Sequence, residues 1–176
     1  MISVLRADLF AAAASDRLST ICKVAFFSHS FHLVVVYRFG TLLSTIPMFG
    51  SFFRVIIEYF IRIVFSSDIS LKSKIGPGFV VVHGHDIVIG GDVLIGENCK
   101  IFNGVTLGNK DTETSVNQQP KVGDDVVLGT GAKILGRIVI GNNVRVGANS
   151  VVLHSIPDGA IAVGVPARYK IEQATN

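Results

Sequence analysis

Two histidines and an aspartate stand together at a break in an otherwise regular sequence. The stretch VVHGHDIVIGG, residues 81–91, contains His83, His85 and Asp86. An imidazole can accept a proton near neutral pH, and a carboxylate that orients the ring makes it a better base. These three side chains are therefore the first candidates for acid–base chemistry in the chain.

The elements that must position these residues follow a period of six. An aliphatic residue, usually followed by glycine, returns every six positions on either side of residues 81–91. This spacing fits neither a strand, with a period of about two, nor a helix, with about 3.6. It is typical of a solenoid whose turns each contain three short strands around a dry interior. The inward positions are Ile69, Ile75, Val81, Ile89, Ile95, Ile101, Leu107, Val122, Leu128, Ile134, Ile140, Val146 and Val152.

A polar segment interrupts the pattern a second time. Residues 109–121, NKDTETSVNQQPK, lie between two inward positions whose spacing is not a multiple of six, so we predict a protruding loop. The chain then divides into a helical N-terminal region (1–65), a solenoid domain (66–170) and a tail (171–176).

The N-terminal region differs sharply from the rest in composition. Residues 1–65 hold ten of the twelve phenylalanines, with six basic and three acidic side chains, whereas residues 66–176 have no net charge. Arg54, Glu58 and Arg62 share one helical face, and the other faces are apolar. We expect this helix either to pack on the second half of the chain or on another subunit, or to lie in a membrane interface.

Several classes of site are not indicated. The two cysteines have no paired spacing, so neither a disulfide framework nor a zinc site is expected, and Cys99 fills a small inward slot of the solenoid. No metal-ligand spacing and no glycine-rich phosphate loop is present. We therefore expect no metal and no nucleic-acid partner. No secretory signal is evident, which favours a cytoplasmic location, with contact to the inner face of the membrane through residues 1–65 as an option.

The repeat is similar to that of a known family. The chain resembles the serine O-acetyltransferase group of hexapeptide-repeat acyltransferases over about residues 66–170. The resemblance is carried by the six-residue repeats, by the stretch GTGAKILGRIVIGNNVRVGANSVV and by the closing AVGVPARYK. The resemblance implies a mainly β fold, a left-handed parallel β-helix, after the short helical region. It also implies a homotrimer and acetyl-coenzyme A as the acetyl donor, with no metal.

The resemblance assigns roles to the candidate residues. His83 matches the family's catalytic histidine, and Asp68, in SDISLKSKIGPG, falls on the aspartate that orients it. The two are fifteen residues apart, close to one turn of about eighteen. His85 is either an acceptor contact or an exposed turn residue, and Asp86 stands where the family usually has glycine. We take His85, Asp86 and Gln119 as candidate acceptor-binding residues.

The donor side rests on small and basic residues. Gly131 and Ala132 match a stretch where the coenzyme's pantetheine arm lies close to backbone amides, and the basic residues could attract its phosphates. For any one of these cations, a solvated basic face is the alternative. The candidate donor-binding residues are Lys121, Gly131, Ala132, Lys133, Arg137 and Arg168.

Three positions depart from the serine-using members of the family. Val82 replaces an aspartate, and Gln118 and Gln119 replace an arginine–histidine pair. Because the charged partners of an amino acid are missing, we predict the branch that acetylates a sugar hydroxyl in surface polysaccharide synthesis. The alternatives are a serine O-acetyltransferase of cysteine biosynthesis and a non-catalytic trimeric scaffold.

Overall fold

The computed structural model describes residues 1–111 and 118–171. Residues 112–117 of the predicted loop and 172–176 of the predicted tail lie outside the described residues. Four helices come first: α1 (Ile2–Ala13), α2 (Leu18–Phe27), α3 (His29–Leu43) and α4 (Gly50–Phe65). Short strands follow: β1 (Asp68–Ile69), β2 (Lys74–Ile75), β3 (Val80–Val82), β4 (Val88–Ile89), β5 (Leu94–Ile95), β6 (Lys100–Phe102), β7 (Thr106–Gly108), β8 (Lys121–Val122), β9 (Val127–Leu128), β10 (Lys133–Leu135), β11 (Val139–Ile140), β12 (Arg145–Val146), β13 (Val151–Val152), β14 (Ala160–Gly164) and β15 (Ala167–Ile171).

The strands form the three faces of a parallel β-helix. Each coil contributes one strand to each face, in the orders β1-β4-β7-β10-β13, β2-β5-β8-β11 and β3-β6-β9-β12-β14. Among the strands that the structure describes, β15 alone is antiparallel, and it pairs with β14 at the end of the third face. The predicted fold class, a mainly β hexapeptide solenoid after a short helical region, is confirmed.

The core is the stack of inward aliphatic residues that the period of six predicts. Ile89, Leu107 and Ile134 occupy matching positions on successive coils and are at most 1% exposed. Stacking in register removes each of these side chains from water, which is the main stabilising contribution of a solenoid coil. Cys99 is 1% exposed, which confirms that it belongs to the core.

The helical region is anchored to the first coil by a buried polar network on α3. Arg38 forms an ion pair with Asp8 of α1 at 2.9 Å and donates to the carbonyls of Ile75 and Gly76. Asp8 also accepts from the backbone N–H of Phe79. Because every partner in this network is satisfied, the buried charges hold α1 and α3 on the solenoid.

Helix α4 turns its polar stripe toward the solenoid. Glu58 accepts hydrogen bonds from the Ser70 hydroxyl and from the backbone N–H of Leu71, and Arg62 pairs with Asp68. The helix therefore packs on the second half of the chain, as one prediction had it, but with its outer face apolar. That face is formed by Phe52, Val55, Ile56, Tyr59, Phe60 and Ile63, each 46–63% exposed.

No helix within the described ranges is by itself long and apolar enough to cross a membrane. The bent pair of α2 and α3 passes by length and composition alone.

Candidate active site

The break at residues 81–91 is an insertion of two residues at one corner of the solenoid. At this corner, the backbone N–H of a turn residue donates to a carbonyl in the equivalent turn of the preceding coil. Gly131 donates to Asn103, the residue before Gly104, and Gly104 donates in the same way to His85, the residue before Asp86. His85 and Asp86 thus correspond to Asn103 and Gly104. The additional residues are His83 and Gly84, so the irregular step in the sequence places His83 outside the regular strand pattern.

Asp86 is the regular turn residue of this corner. It has φ 56°, and the equivalent Gly104, Gly131 and Asn149 have φ values of 71°, 72° and 55°. Left-handed backbone favours glycine, asparagine and aspartate, which explains why an aspartate can stand where the family usually has glycine. The side chains of His85 and Asp86 are exposed on the corner that carries His83. Their predicted contact with an acceptor stays a prediction.

Asp68 lies on the neighbouring coil at the same edge, but it does not stack on His83. Its ladder partner is Val88, twenty residues later, because the insertion lengthens this coil. Its carboxylate Oδ1 accepts a hydrogen bond from Arg62 at 2.9 Å, with both side chains about half exposed. Within residues 1–111 and 118–171, no hydrogen bond joins Asp68 to His83. The spacing argument for the pair was therefore wrong in its register, and the dyad stays a prediction.

A cavity of about 260 Å³ opens beside His83, between α3 and strand β3. Val82, the first departure from the family's pattern, is part of its wall. Apart from His83, no described residue of this wall carries a titratable side chain. The lining residues are Ala12, Ser28, Ser30, Phe31, Val34, Phe79, Val80, Val81, Val82 and His83.

Gln119 lies at a different corner, where it has a structural role. Its side-chain carbonyl accepts from the backbone N–H of Asp92 at 2.8 Å, after strand β4. Asp124, Asn142 and Asp158 make the same kind of bond to Glu97, Asp124 and Asn142 along the chain. Within one chain, therefore, the structure does not bring Gln119 to His83, and its predicted acceptor contact is not formed there.

Four of the six donor candidates lie at these two corners. Lys121 and Arg137 line a cavity of about 270 Å³ with Gln119. Gly131 lies two coils beyond Asp86 at the His83 corner. Ala132 is fully buried, so only its backbone could contact a ligand.

The other two donor candidates, Lys133 and Arg168, lie on strands. Lys133 donates to the Gly104 carbonyl at 2.6 Å and to Thr106 Oγ1 at 3.0 Å, so its ammonium is already engaged by the chain. Arg168 lies on β15, paired with Val163, at the end of the solenoid.

Sequence reasoning missed two contacts of the helical region with this corner. Arg62 was assigned only to a polar helical stripe, and its bond to Asp68 was not foreseen. The Ser30 hydroxyl accepts from the backbone N–H of Gly84 at 2.9 Å, and no feature of the sequence signalled it. No cluster of three or more histidine, cysteine or acidic side chains suited to a metal ion occurs among the described residues.

A family model, curated relatives and solved structures all indicate the same family. Residues 119–154 match the family described as bacterial transferase hexapeptide (six repeats). Serine acetyltransferase of Buchnera aphidicola subsp. Schizaphis graminum (strain Sg) is 40% identical over 138 residues, 78% of this chain and 52% of that protein. The chain spans about half the length of the curated relatives it matches.

Solved structures extend the likeness to the helical region. The crystal structure of Neisseria gonorrhoeae serine acetyltransferase matches with a TM-score of 0.88 and 30% identity, over 99% of this chain and 66% of that one. Serine acetyltransferase of Brucella abortus strain S19, in complex with coenzyme A, matches with a TM-score of 0.89 and 30% identity, over 98% and 68%.

These relatives overturn one prediction. The departures at Val82, Gln118 and Gln119 were taken to indicate a sugar hydroxyl as acceptor and the polysaccharide branch of the family. That prediction is wrong, because the matching proteins and structures are named serine acetyltransferases. Three neutral side chains were too weak a basis for an acceptor, since a site can bind the same groups with other residues.

The remaining predictions of kinship agree with the comparisons. The repeat of six, the matched residues 119–154 and the structural similarity over almost all of this chain identify the same architecture. The chain belongs to the hexapeptide-repeat acyltransferase family.

Proposed function

We propose that this protein transfers an acetyl group from acetyl-coenzyme A to the hydroxyl of L-serine. The observation that carries the proposal is the placement of His83, on a two-residue insertion beside a cavity, in a fold that matches serine acetyltransferases over almost its whole length. The matching Brucella abortus structure holds coenzyme A, which supports acetyl-coenzyme A as donor.

In this mechanism His83 acts as the general base. The imidazole takes the proton of the serine hydroxyl as the oxygen attacks the thioester carbonyl. The carbon–sulfur bond then breaks, and the proton passes from the imidazolium to the departing thiolate of coenzyme A. The products are O-acetylserine and free coenzyme A, so no further reactant is needed.

Asp68 would orient the imidazole and stabilise its protonated form. Since Arg62 engages Oδ1 of this carboxylate, Oδ2 is the atom that we expect to face His83. Both Asp68 and His83 have exposed side chains, which leaves them room to rotate toward each other.

The separation of the candidate residues supports a homotrimer. His83 lies at one edge of the solenoid, whereas Gln119, Lys121 and Arg137 lie at another. In an assembly of three chains around an axis, the edge of one chain could meet a different edge of its neighbour. The two groups would then complete one site, which a single chain does not do.

Serine recognition in this chain must differ from that of the charge-paired members. The wall of the cavity at Val82 is neutral, and the Gln119 carbonyl is engaged at its own corner. We therefore expect a high KM for L-serine, because its ammonium and carboxylate groups bind weakly where they have no charged partners.

The test is release of free thiol from acetyl-coenzyme A by the purified protein. L-serine should stimulate release, and L-alanine, which lacks only the hydroxyl, should not. No release with serine would refute the proposal and favour the alternative of a non-catalytic trimeric scaffold.

Membrane contact through residues 1–65 stays a prediction. The outward apolar face of α4 supports it, but the same face would equally suit contact with another subunit. Co-sedimentation with anionic vesicles distinguishes the two. Recovery of the protein in the pellet with the vesicles favours contact with lipid, and a trimer that stays in the supernatant favours contact with another subunit.

A further inference from the structure

Helix α3 packs closely against the His83 corner at Gly84. Gly84 is buried against the first turn of α3. A Cβ on Gly84 would lie 3.2 Å from the Ser30 Cα and 3.3 Å from the Leu33 Cδ2. Those separations are tighter than most Cβ contacts, so a side chain at this position would require Ser30 and Leu33 to shift by a few tenths of an ångström.

The same contact contains a directed hydrogen bond. Ser30 Oγ accepts from the Gly84 N–H at 2.9 Å. Ser30 is the second residue of α3, whose first turn is fixed because the N-cap hydroxyl of Ser28 accepts from the Phe31 N–H. The acceptor is therefore held on a well-formed end of a helix.

The turn that it supports is strained. His83 has φ 56°, a conformation that costs a non-glycine residue about 1 kcal/mol or more. The His85 N–H bonds back to the His83 carbonyl at 2.7 Å, so Gly84 is the centre of a three-residue turn. Among the described residues, no hydrogen bond from the chain reaches the His83 imidazole itself. The position of the ring thus depends on its backbone, and that backbone is held at Gly84.

The helix that provides this support is itself fixed to the solenoid further along. The Tyr37 hydroxyl donates to the Ser73 carbonyl at 2.8 Å, and Arg38 binds two carbonyls of the first coil. Displacement of α3 relative to β3 would break these buried bonds, each of which is costly to leave unmade. The support under Gly84 is therefore rigid.

From these contacts we infer that Ser30 is a positioning residue for His83. By accepting the Gly84 N–H, it holds the strained turn that carries His83 at the edge of the cavity. The inference rests on the proposed function, because it takes His83 to be the base. It goes further by assigning a catalytic task to the helical region, which contributes no group to the chemistry itself.

The variant Ser30→Ala removes the acceptor and leaves the rest of α3 intact. We expect kcat to fall by about tenfold or more, since a small misplacement of a catalytic group is expensive, with the KM for acetyl-coenzyme A within about twofold. Ser30→Thr keeps the hydroxyl and should recover a large part of kcat. Hydrogen exchange of the peptide that contains residues 80–90 should become faster in Ser30→Ala, because the Gly84 amide loses its partner.

The matched control is Tyr37→Phe, which deletes the hydrogen bonds between the Tyr37 hydroxyl on α3 and Ser73 of the first coil, two turns away from Ser30. It should lower thermal stability at least as much as Ser30→Ala, while kcat and the exchange of residues 80–90 stay at the wild-type level. A similar loss of kcat in both variants would mean that the loss follows from lower stability and not from the position of His83, and would overturn the inference.

The failure of this inference is distinguishable from failure of the proposed function. A wild-type protein that releases no thiol with serine refutes the proposed function. The exchange measurement still decides whether Ser30 holds the turn, and unchanged exchange in Ser30→Ala overturns it. An active wild type with unaltered kcat in Ser30→Ala leaves the function standing and removes Ser30 from it.

Discussion

Arg62 on α4 and Asp68 on β1 form an ion pair of 2.9 Å at the edge of the solenoid where His83 is inserted. The carboxylate expected to orient the catalytic base is therefore held by the helical region, through one of its two oxygens. A second side chain of the helices, Ser30, accepts from the backbone N–H of Gly84, the residue after His83.

Loss of Arg62 should affect activity more than stability. Arg62→Ala frees the Asp68 carboxylate to rotate, so we expect kcat to fall severalfold, while Asp68→Asn lowers it further. The free energy of unfolding should change by no more than about 1 kcal/mol, because a half-exposed pair contributes little. Steady-state kinetics and thermal unfolding measure both effects. Arg54→Ala, on the same face of α4, is the control; a rise in kcat for Arg62→Ala would show that Arg62 withdraws Asp68 from the site.

The buried pair of Asp8 and Arg38 should behave in the opposite way. Asp8→Ala leaves the Arg38 guanidinium buried without its carboxylate, which costs about 3–5 kcal/mol. Denaturant unfolding at neutral pH measures this loss. The isosteric Asp8→Asn keeps the acceptor for Phe79 and should cost less; equal stability of wild type and Asp8→Ala would contradict the anchoring role of this network.

The two cysteines should differ strongly in reactivity. Burial raises the pKa of the Cys99 thiol to about 11, with Asp124 and Asp125 adding to the rise. Because the thiolate is the reactive form, Cys99 should stay unreactive toward a disulfide reagent at pH 8, whereas the exposed Cys22 reacts at once. We expect one fast thiol in the folded protein and two in denaturant. Two fast thiols in the folded protein would contradict the buried position of Cys99.

A carboxylate at position 82 should improve the use of serine. Val82→Asp restores the aspartate of the charge-paired members in the wall of the cavity, where it can attract an ammonium. We expect the KM for L-serine to fall severalfold with kcat within about threefold. Val80→Asp, which adds the same charge to the same wall three residues before His83, is the matched control. An equal gain in both variants would indicate a general effect of charge.

The period of six predicted the solenoid well because it records the stacking of side chains within the core. Ile89, Leu107 and Ile134 are buried in register as the spacing requires. The slip at residues 81–91 correctly marked the irregular corner, since an insertion into a repeat is visible in sequence.

Contacts between the helices and the solenoid could not be predicted in this way. The bond from Gly84 to Ser30 joins residues 54 positions apart, and no period connects them. The polar stripe of α4 was recognised, but its direction depends on the groups that Ser70 and Leu71 present to it. The bond from the Asp92 N–H to Gln119 could not be predicted either, because a glutamine that caps a corner has the same sequence signature as one that binds a ligand.

The central claim is that His83 is the base for acetyl transfer from acetyl-coenzyme A to serine. The most direct test measures serine-dependent thiol release by wild type and His83→Ala, with the oligomeric state of both followed by light scattering. We expect release by the wild type and a loss of about 10²- to 10⁴-fold in the variant, with both proteins trimeric. Undiminished serine-dependent release by His83→Ala would contradict the account.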